Sequence, residues 1–208
     1  MHITDPKINE YIKKSMAPID PVLVEMDNYA RENNFPIIGP MCGILLRQLA
    51  IATKAKNIFE MGSGYGYSAY WFAGGIPEDG KIICTEGSED NKNLAMEYLK
   101  RGGFDHKVEF HVGYAQDIIK KYDGPFDIIF NDVDKEQYPE AFDLAIPKLK
   151  KSGLFITDNV LWSGRIFDDD PVESTRGVLE FNKKLFAANN LLSSIVPIRD
   201  GFGIAVKL

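Results

Sequence analysis

Residues 57–68, Asn-Ile-Phe-Glu-Met-Gly-Ser-Gly-Tyr-Gly-Tyr-Ser, run a short apolar segment straight into three glycines at alternate positions. Ile58, Phe59 and Met61 read as a strand covered on both faces, and Gly62, Gly64 and Gly66 can take positive φ or admit a ligand against bare backbone. A helix over 67–73 then points its free N–H groups back at the turn, which suits a small ligand with polar or anionic parts. A dinucleotide fingerprint would need a glycine where Tyr67 stands, and Glu60, just ahead of the turn, would repel a pyrophosphate. That carboxylate suits a ligand carrying an ammonium. The glycines fit equally well a tight strand-to-helix turn that binds nothing.

Around this stretch, strands are predicted over 57–61, 81–86, 108–112, 126–132 and 153–158, alternating with helices over 67–73, 89–101, 115–121 and 138–149. Such alternation predicts an α/β, Rossmann-like, doubly wound sheet with helices on both faces. A further helix over 175–188 precedes strands over 192–197 and 203–207, close enough to pair as a C-terminal antiparallel hairpin. The sheet then has seven strands, mostly parallel. Upstream, Asp5-Pro6 and Asp20-Pro21 each set a capping carboxylate before a proline, opening helices over 6–16 and 21–33, and an amphipathic helix follows over 40–53. A length of 208 residues suits one domain, with 1–53 as N-terminal helices packing on its core.

The net charge of −6, with signs interspersed, supplies no basic footprint for nucleic acid or an anionic membrane. Cys42 and Cys84 stand apart in apolar surroundings and read as reduced, buried thiols. The opening Met-His-Ile-Thr-Asp-Pro-Lys has no hydrophobic signal region and no apolar run reaches the length of a membrane span, so a cytoplasmic location is expected.

In an open parallel sheet, ligands sit beyond the carboxyl ends of the strands. Glu86 ends the second strand, about twenty residues past the glycine turn, where a carboxylate can accept from both hydroxyls of a ribose; a solvated strand-end carboxylate is equally consistent. Asp132, Asp158 and Asn159 follow apolar strands and emerge at one sheet edge. Three hard oxygen donors suit Mg²⁺, with Mn²⁺ or Ca²⁺ as alternatives, although each Asp could instead cap the segment after it. Zinc is disfavoured, because His2, His106 and His111 show no ligand spacing. Lys135 shares the neighbourhood of Asp132, and a lysine partly out of water beside a divalent cation loses its proton more readily and can act as a base. Trp162 can stack on an aromatic ring or fill the core.

In this order, Phe-Glu-Met-Gly-Ser-Gly-Tyr-Gly-Tyr-Ser (59–68), Gly-Tyr-Ala-Gln-Asp (113–117), Asp-Val-Asp-Lys-Glu-Gln-Tyr (132–138), Thr-Asp-Asn-Val-Leu-Trp-Ser-Gly (157–164) and Asp-Gly (200–201) span most of the chain. Together they resemble the cation-dependent class I O-methyltransferases that use S-adenosylmethionine, the group of catechol and caffeoyl-CoA O-methyltransferases and their small bacterial relatives. The resemblance implies that Glu60, Gly62, Tyr65 and Ser68 surround the methionine part of the cofactor. By the same resemblance, Glu86 holds the ribose, Ala115 and Gln116 flank the adenine, and Ile38, Gly64, Gly113 and Asp132 also border the cofactor. Asp132, Asp158 and Asn159 are the implied metal ligands, Lys135 with Asp132 the implied catalytic pair, and Trp162, Lys135 and Asn159 the implied substrate contacts. Ile44, Tyr114 and Asn131 depart from the family pattern.

The implied reaction is methyl transfer to a hydroxyl of a small aromatic vicinal diol, by a homodimer. Methylation of a hydroxylated tRNA base and a cofactor-binding module without turnover are the competing readings. Asp168, Asp169 and Asp170 make the loop beside Trp162 a poor surface for the phosphates of coenzyme A, which favours a free catechol over a CoA ester.

Overall fold

The seven strands are β1 (Asn57–Met61), β2 (Lys81–Glu86), β3 (Val108–Val112), β4 (Phe126–Asn131), β5 (Leu149–Thr157), β6 (Leu191–Val196) and β7 (Phe202–Lys207). In this computed structural model they form one sheet in the order β3-β2-β1-β4-β5-β7-β6. The first five pair in parallel, and β7 runs antiparallel to both β5 and β6. Residues 3–17 and 19–208 are described; Met1 and His2, where the reading of the N-terminal segment begins, and Pro18 lie outside them.

Alternation along the strands divides the core between the two faces. Ile58, Ile128, Phe130 and Ile156 pack with α2 (Pro21–Asn33), α3 (Gly39–Ala52), α4 (Tyr67–Ala73) and α5 (Glu89–Arg101). Phe59, Met61, Ile129 and Phe155 pack with α6 (Ala115–Ile119), α7 (Tyr138–Ala145) and α8 (Glu173–Ala187), after α1 (Pro6–Ser15) in the numbering of helices. The sheet is therefore covered on both sides, and its order reverses between β1 and β4. A crevice opens beyond the tips of those two strands.

Local chemistry explains most element ends. Asp5 and Asp20 accept from the Lys7 and Val22 amides, both at 2.8 Å, and so cap α1 and α2 at the two Asp-Pro steps. The helix predicted over 138–149 stops earlier, at Ala145, and the strand predicted from 153 begins at Leu149. Pro147 cannot continue the helical hydrogen bonding, so residues Ile146–Lys148 tighten into a 3₁₀ turn. Leu149 then pairs with Phe126, and the register shifts before Ile128 meets Leu154. Cys42 and Cys84 are free and buried. Among the described residues, no helix is long and apolar enough to cross a membrane.

Candidate active site

Beyond the tips of β1 and β4 lies a cavity of about 620 Å³. Gly62, Gly64 and Gly66 line or support it with φ of +84°, +50° and +82°, so the turn requires glycine for its shape. Gly62 has a second reason to lack a side chain: a Cβ there would lie 2.5 Å from the Asp132 carbonyl oxygen. The approach is that close because the Asp132 N–H donates to the Met61 carbonyl at 2.8 Å, joining the two strand tips. Gly62→Ala should therefore destabilise the protein by more than about 2 kcal/mol in urea unfolding. Unchanged stability would show that the tips part freely.

Ile38, Tyr65, Ser68 and Glu86 also border this cavity. Glu86 ties the turn to β2, its Oε2 accepting from the Gly64 N–H at 3.2 Å and its Oε1 from Asn91 Nδ2 at 3.0 Å. Tyr65 is turned towards the core, where its hydroxyl donates to the Met26 carbonyl at 2.8 Å and its ring meets Tyr29 and Phe35 edge-on. Gly113 and Ala115 border a smaller cavity of about 280 Å³ that shares Gly62, Glu86 and Asp132 with the first. Gln116 borders neither; its amide donates to Gln137 Oε1 at 2.8 Å.

Glu60 borders neither cavity and is fully buried. The Cys84 thiol donates to its Oε2 at 3.3 Å, and the Ser68 and Ser63 hydroxyls lie beside it. Burial pushes its carboxyl up to about 7, against the pull of those hydrogen bonds. A raised carboxyl favours folding most in its neutral form: the contribution is full below pH 4.5 and is lost as pH rises through about 7, on the order of 3 kcal/mol. Glu60→Gln stays neutral at every pH. Chemical unfolding should find it more stable than the parent by about 2–3 kcal/mol near pH 8 and equal near pH 4; a pH-independent difference would contradict a neutral buried carboxyl.

Asn131 of β4 pairs with Thr157 of β5, so Asp132 and Asp158 leave the sheet side by side. Asp158 is 1% exposed; its Oδ2 accepts from Arg199 Nη1 at 3.0 Å, and its Oδ1 is buried with no hydrogen-bond partner among the described residues. Asp132 Oδ1 accepts from Lys135 Nζ at 3.1 Å. Burial raises both carboxyls, with Lys135 opposing the rise at Asp132; at Asp158 the neighbouring Asp132 adds to it and Arg199 opposes it. Asn159 follows at φ +59°, a conformation Asn tolerates, with its Nδ2 3.5 Å from Asp200 Oδ2.

Among the described residues, no three His, Cys, Asp or Glu side chains converge as a metal site. A cation would therefore depend on the amide oxygen of Asn159 beside the two carboxylates. The donor set fits a hard divalent ion: oxygen ligands, net negative charge, and one buried carboxylate oxygen with no hydrogen-bond partner among the described residues. Lys135 Nζ also stands 5.1 Å from the Tyr138 ring and 5.6 Å from the Trp162 ring, with Arg165 5.1 Å from the latter. Trp162 is half-buried at the cavity edge.

Two features were not foreseen from sequence. The ion pair of Arg199 with Asp158 spans 41 residues, with no local pattern to signal it. Phe35, Pro36 and Ile37 also border the cavity, from a connection between α2 and α3 that has no periodicity.

A sheet with a glycine-lined cavity beyond its reversing strands defines an α/β protein with a ligand-sized crevice at its switch point. More particularly, the chain belongs to the O-methyltransferase family, whose model matches residues 19–208. It is 31% identical to the catechol O-methyltransferase of Niastella koreensis, over 97% of this chain and 96% of that protein. Identity to caffeoyl-CoA O-methyltransferase 2 of Populus trichocarpa is 33%, over 80% of this chain and 72% of that one. The crystal structure of the O-methyltransferase from Bacillus cereus in complex with SAH matches with a TM-score of 0.89 at 27% identity, covering 97% of both chains.

Proposed function

We propose that the protein transfers a methyl group from S-adenosylmethionine to one hydroxyl of a small catechol, with a divalent cation, Mg²⁺ first, held by Asp132, Asp158 and Asn159. The reading rests on a single cavity bordered both by Gly62, Gly64, Ser68 and Glu86 and by Asp132, Asp158, Asn159 and Lys135. In this reaction the acceptor oxygen forms a bond to the methyl carbon as the carbon–sulfur bond breaks, and the bonding pair leaves on sulfur as a neutral thioether. The acceptor must therefore be ionised and in line. A phenol, with a pKa of about 10, is mostly protonated at neutral pH.

The cation, when bound, favours the ionised form of the acceptor. Lys135 removes the hydroxyl proton from its place beside Asp132, and Trp162 holds the ring by stacking. Glu86 accepts from the ribose hydroxyls, which aims the sulfonium along the cavity. Left-handed backbone at Asn159, Trp162 and Ser163 (φ +59°, +46° and +53°) supports a functional role for this wall, since such strain concentrates at binding sites. The exposed Asp168, Asp169 and Asp170 favour a free catechol over a CoA ester. Exposed Ile8 and Tyr11 on α1 support the homodimer that the resemblance implies.

The test is methyl transfer from S-adenosylmethionine to a panel of free catechols, caffeoyl-CoA and bulk tRNA, each with and without chelator. Methylated catechol, lost on chelation and restored by Mg²⁺, is the expected result. Product from tRNA alone, or catechol methylation indifferent to chelator, would overturn the proposal. Cofactor binding without product from any acceptor would favour a module without turnover.

A further inference from the structure

Arg199 occupies a backbone conformation that disfavours it. Its φ is +51°, in the region where a Cβ crowds the following carbonyl. Backbone hydrogen bonds hold it there: the Gly201 N–H donates to the Ile198 carbonyl at 2.8 Å, and the Val160 and Leu161 N–H groups donate to the Gly201 and Asp200 carbonyls at 3.1 and 3.0 Å. Asp200 also accepts from the Ser163 amide. The β6–β7 turn is thereby pinned to the segment directly after Asp158. From it the Arg199 side chain, 37% exposed and bordering the cavity, reaches a carboxylate that is 1% exposed.

We propose that Arg199 is a built-in competitor for the divalent cation at Asp158. With no divalent ion bound, its guanidinium neutralises the buried carboxylate through Oδ2. A divalent ion at Asp158 draws on the same carboxylate charge that holds the guanidinium, and one that takes Oδ2 competes with it directly, so Arg199 lowers the affinity of the site. This inference rests on the metal reading of Asp132, Asp158 and Asn159 given above. A guanidinium does not release its charge by deprotonation, so displacement is the one way to free that oxygen. Lys135 is arranged differently: it lies in the same segment as Asp132 and also contacts the Val133 carbonyl, at 3.4 Å. Arg199 comes from a separate hairpin and is delivered by strained backbone.

The test is a Mn²⁺ titration followed by electron paramagnetic resonance, at about pH 8, where carboxylates are largely ionised, with neither cofactor nor acceptor present. The parent is compared with Arg199→Gly, which suits the left-handed backbone, with Arg199→Met, which keeps the bulk, and with Asp158→Asn. Circular dichroism checks that each variant is folded. Both Arg199 variants should bind Mn²⁺ on the order of tenfold tighter than the parent, the weight of a lost charge-assisted hydrogen bond, and Asp158→Asn should bind it most weakly. Unchanged or weaker binding in both Arg199 variants, with Asp158→Asn still deficient, overturns the competitor and leaves the metal reading standing. Parent-like binding by Asp158→Asn overturns both. In the unmutated protein, the Arg199 Nε–H resonance should shift on addition of Mg²⁺; an unmoved resonance at saturating Mg²⁺ also overturns the proposal.

Discussion

Lys135→Ala should lower turnover by about 10²–10⁴-fold, the usual contribution of a positioned general base, with S-adenosylmethionine affinity nearly unchanged. The side chain is only 13% exposed, sits 3.1 Å from Asp132 and stands against the rings of Tyr138 and Trp162. A lysine held this way has little freedom to do anything but face the cavity. Because its loss also removes a cation from Asp132, Lys135→Arg is the informative companion. Arginine keeps the charge but cannot accept a proton at working pH. If Lys135 is the base, the arginine variant is as slow as the alanine one. If its charge alone matters, arginine restores turnover. Steady-state kcat for both variants, with cofactor affinity from calorimetry, separates the roles.

Asp158→Asn should reduce Mg²⁺-supported methyl transfer by about 100-fold or more, since removing one charged ligand weakens the cation and its hold on the acceptor together. Stability should change little. Burial already disfavours the Asp158 carboxylate, so exchanging it for a neutral amide removes a desolvation cost. The Arg199 left behind is 37% exposed and can be solvated. Turnover with and without Mg²⁺, set beside a thermal melt, distinguishes this outcome from simple unfolding. Parent-like, Mg²⁺-dependent activity would remove Asp158 from the site.

Much of the architecture could be read from local pattern because its causes are local. Apolar runs leading into Gly62, Glu86, Asp132 and Asp158, the Asp-Pro caps and the glycine turn each depend on neighbours in sequence, and the strands and helices fall within a few residues of their predicted bounds. The boundary at Leu149 failed because the helical periodicity ran past Pro147, and strand pairing with Phe126 claimed the next residue. For the site, sequence order was sufficient to bring Asp132, Asp158, Asn159, Lys135 and Glu86 to one cavity. It was insufficient for the depth of Glu60, which depends on how Ser63, Ser68 and Cys84 close over it. It was insufficient also for Gln116, which pairs with Gln137, and for Arg199, whose partner lies just beyond the tip of β5. Those facts are products of packing across the sheet.

The decisive measurement is anomalous diffraction from crystals grown with Mn²⁺, S-adenosylhomocysteine and a catechol. The account predicts one Mn²⁺ peak among the side-chain oxygens of Asp132, Asp158 and Asn159, with the thioether sulfur over the glycine turn and a catechol oxygen between the two. Mn²⁺ bound elsewhere, or a cofactor and catechol seated together with those three side chains left uncoordinated, would contradict it.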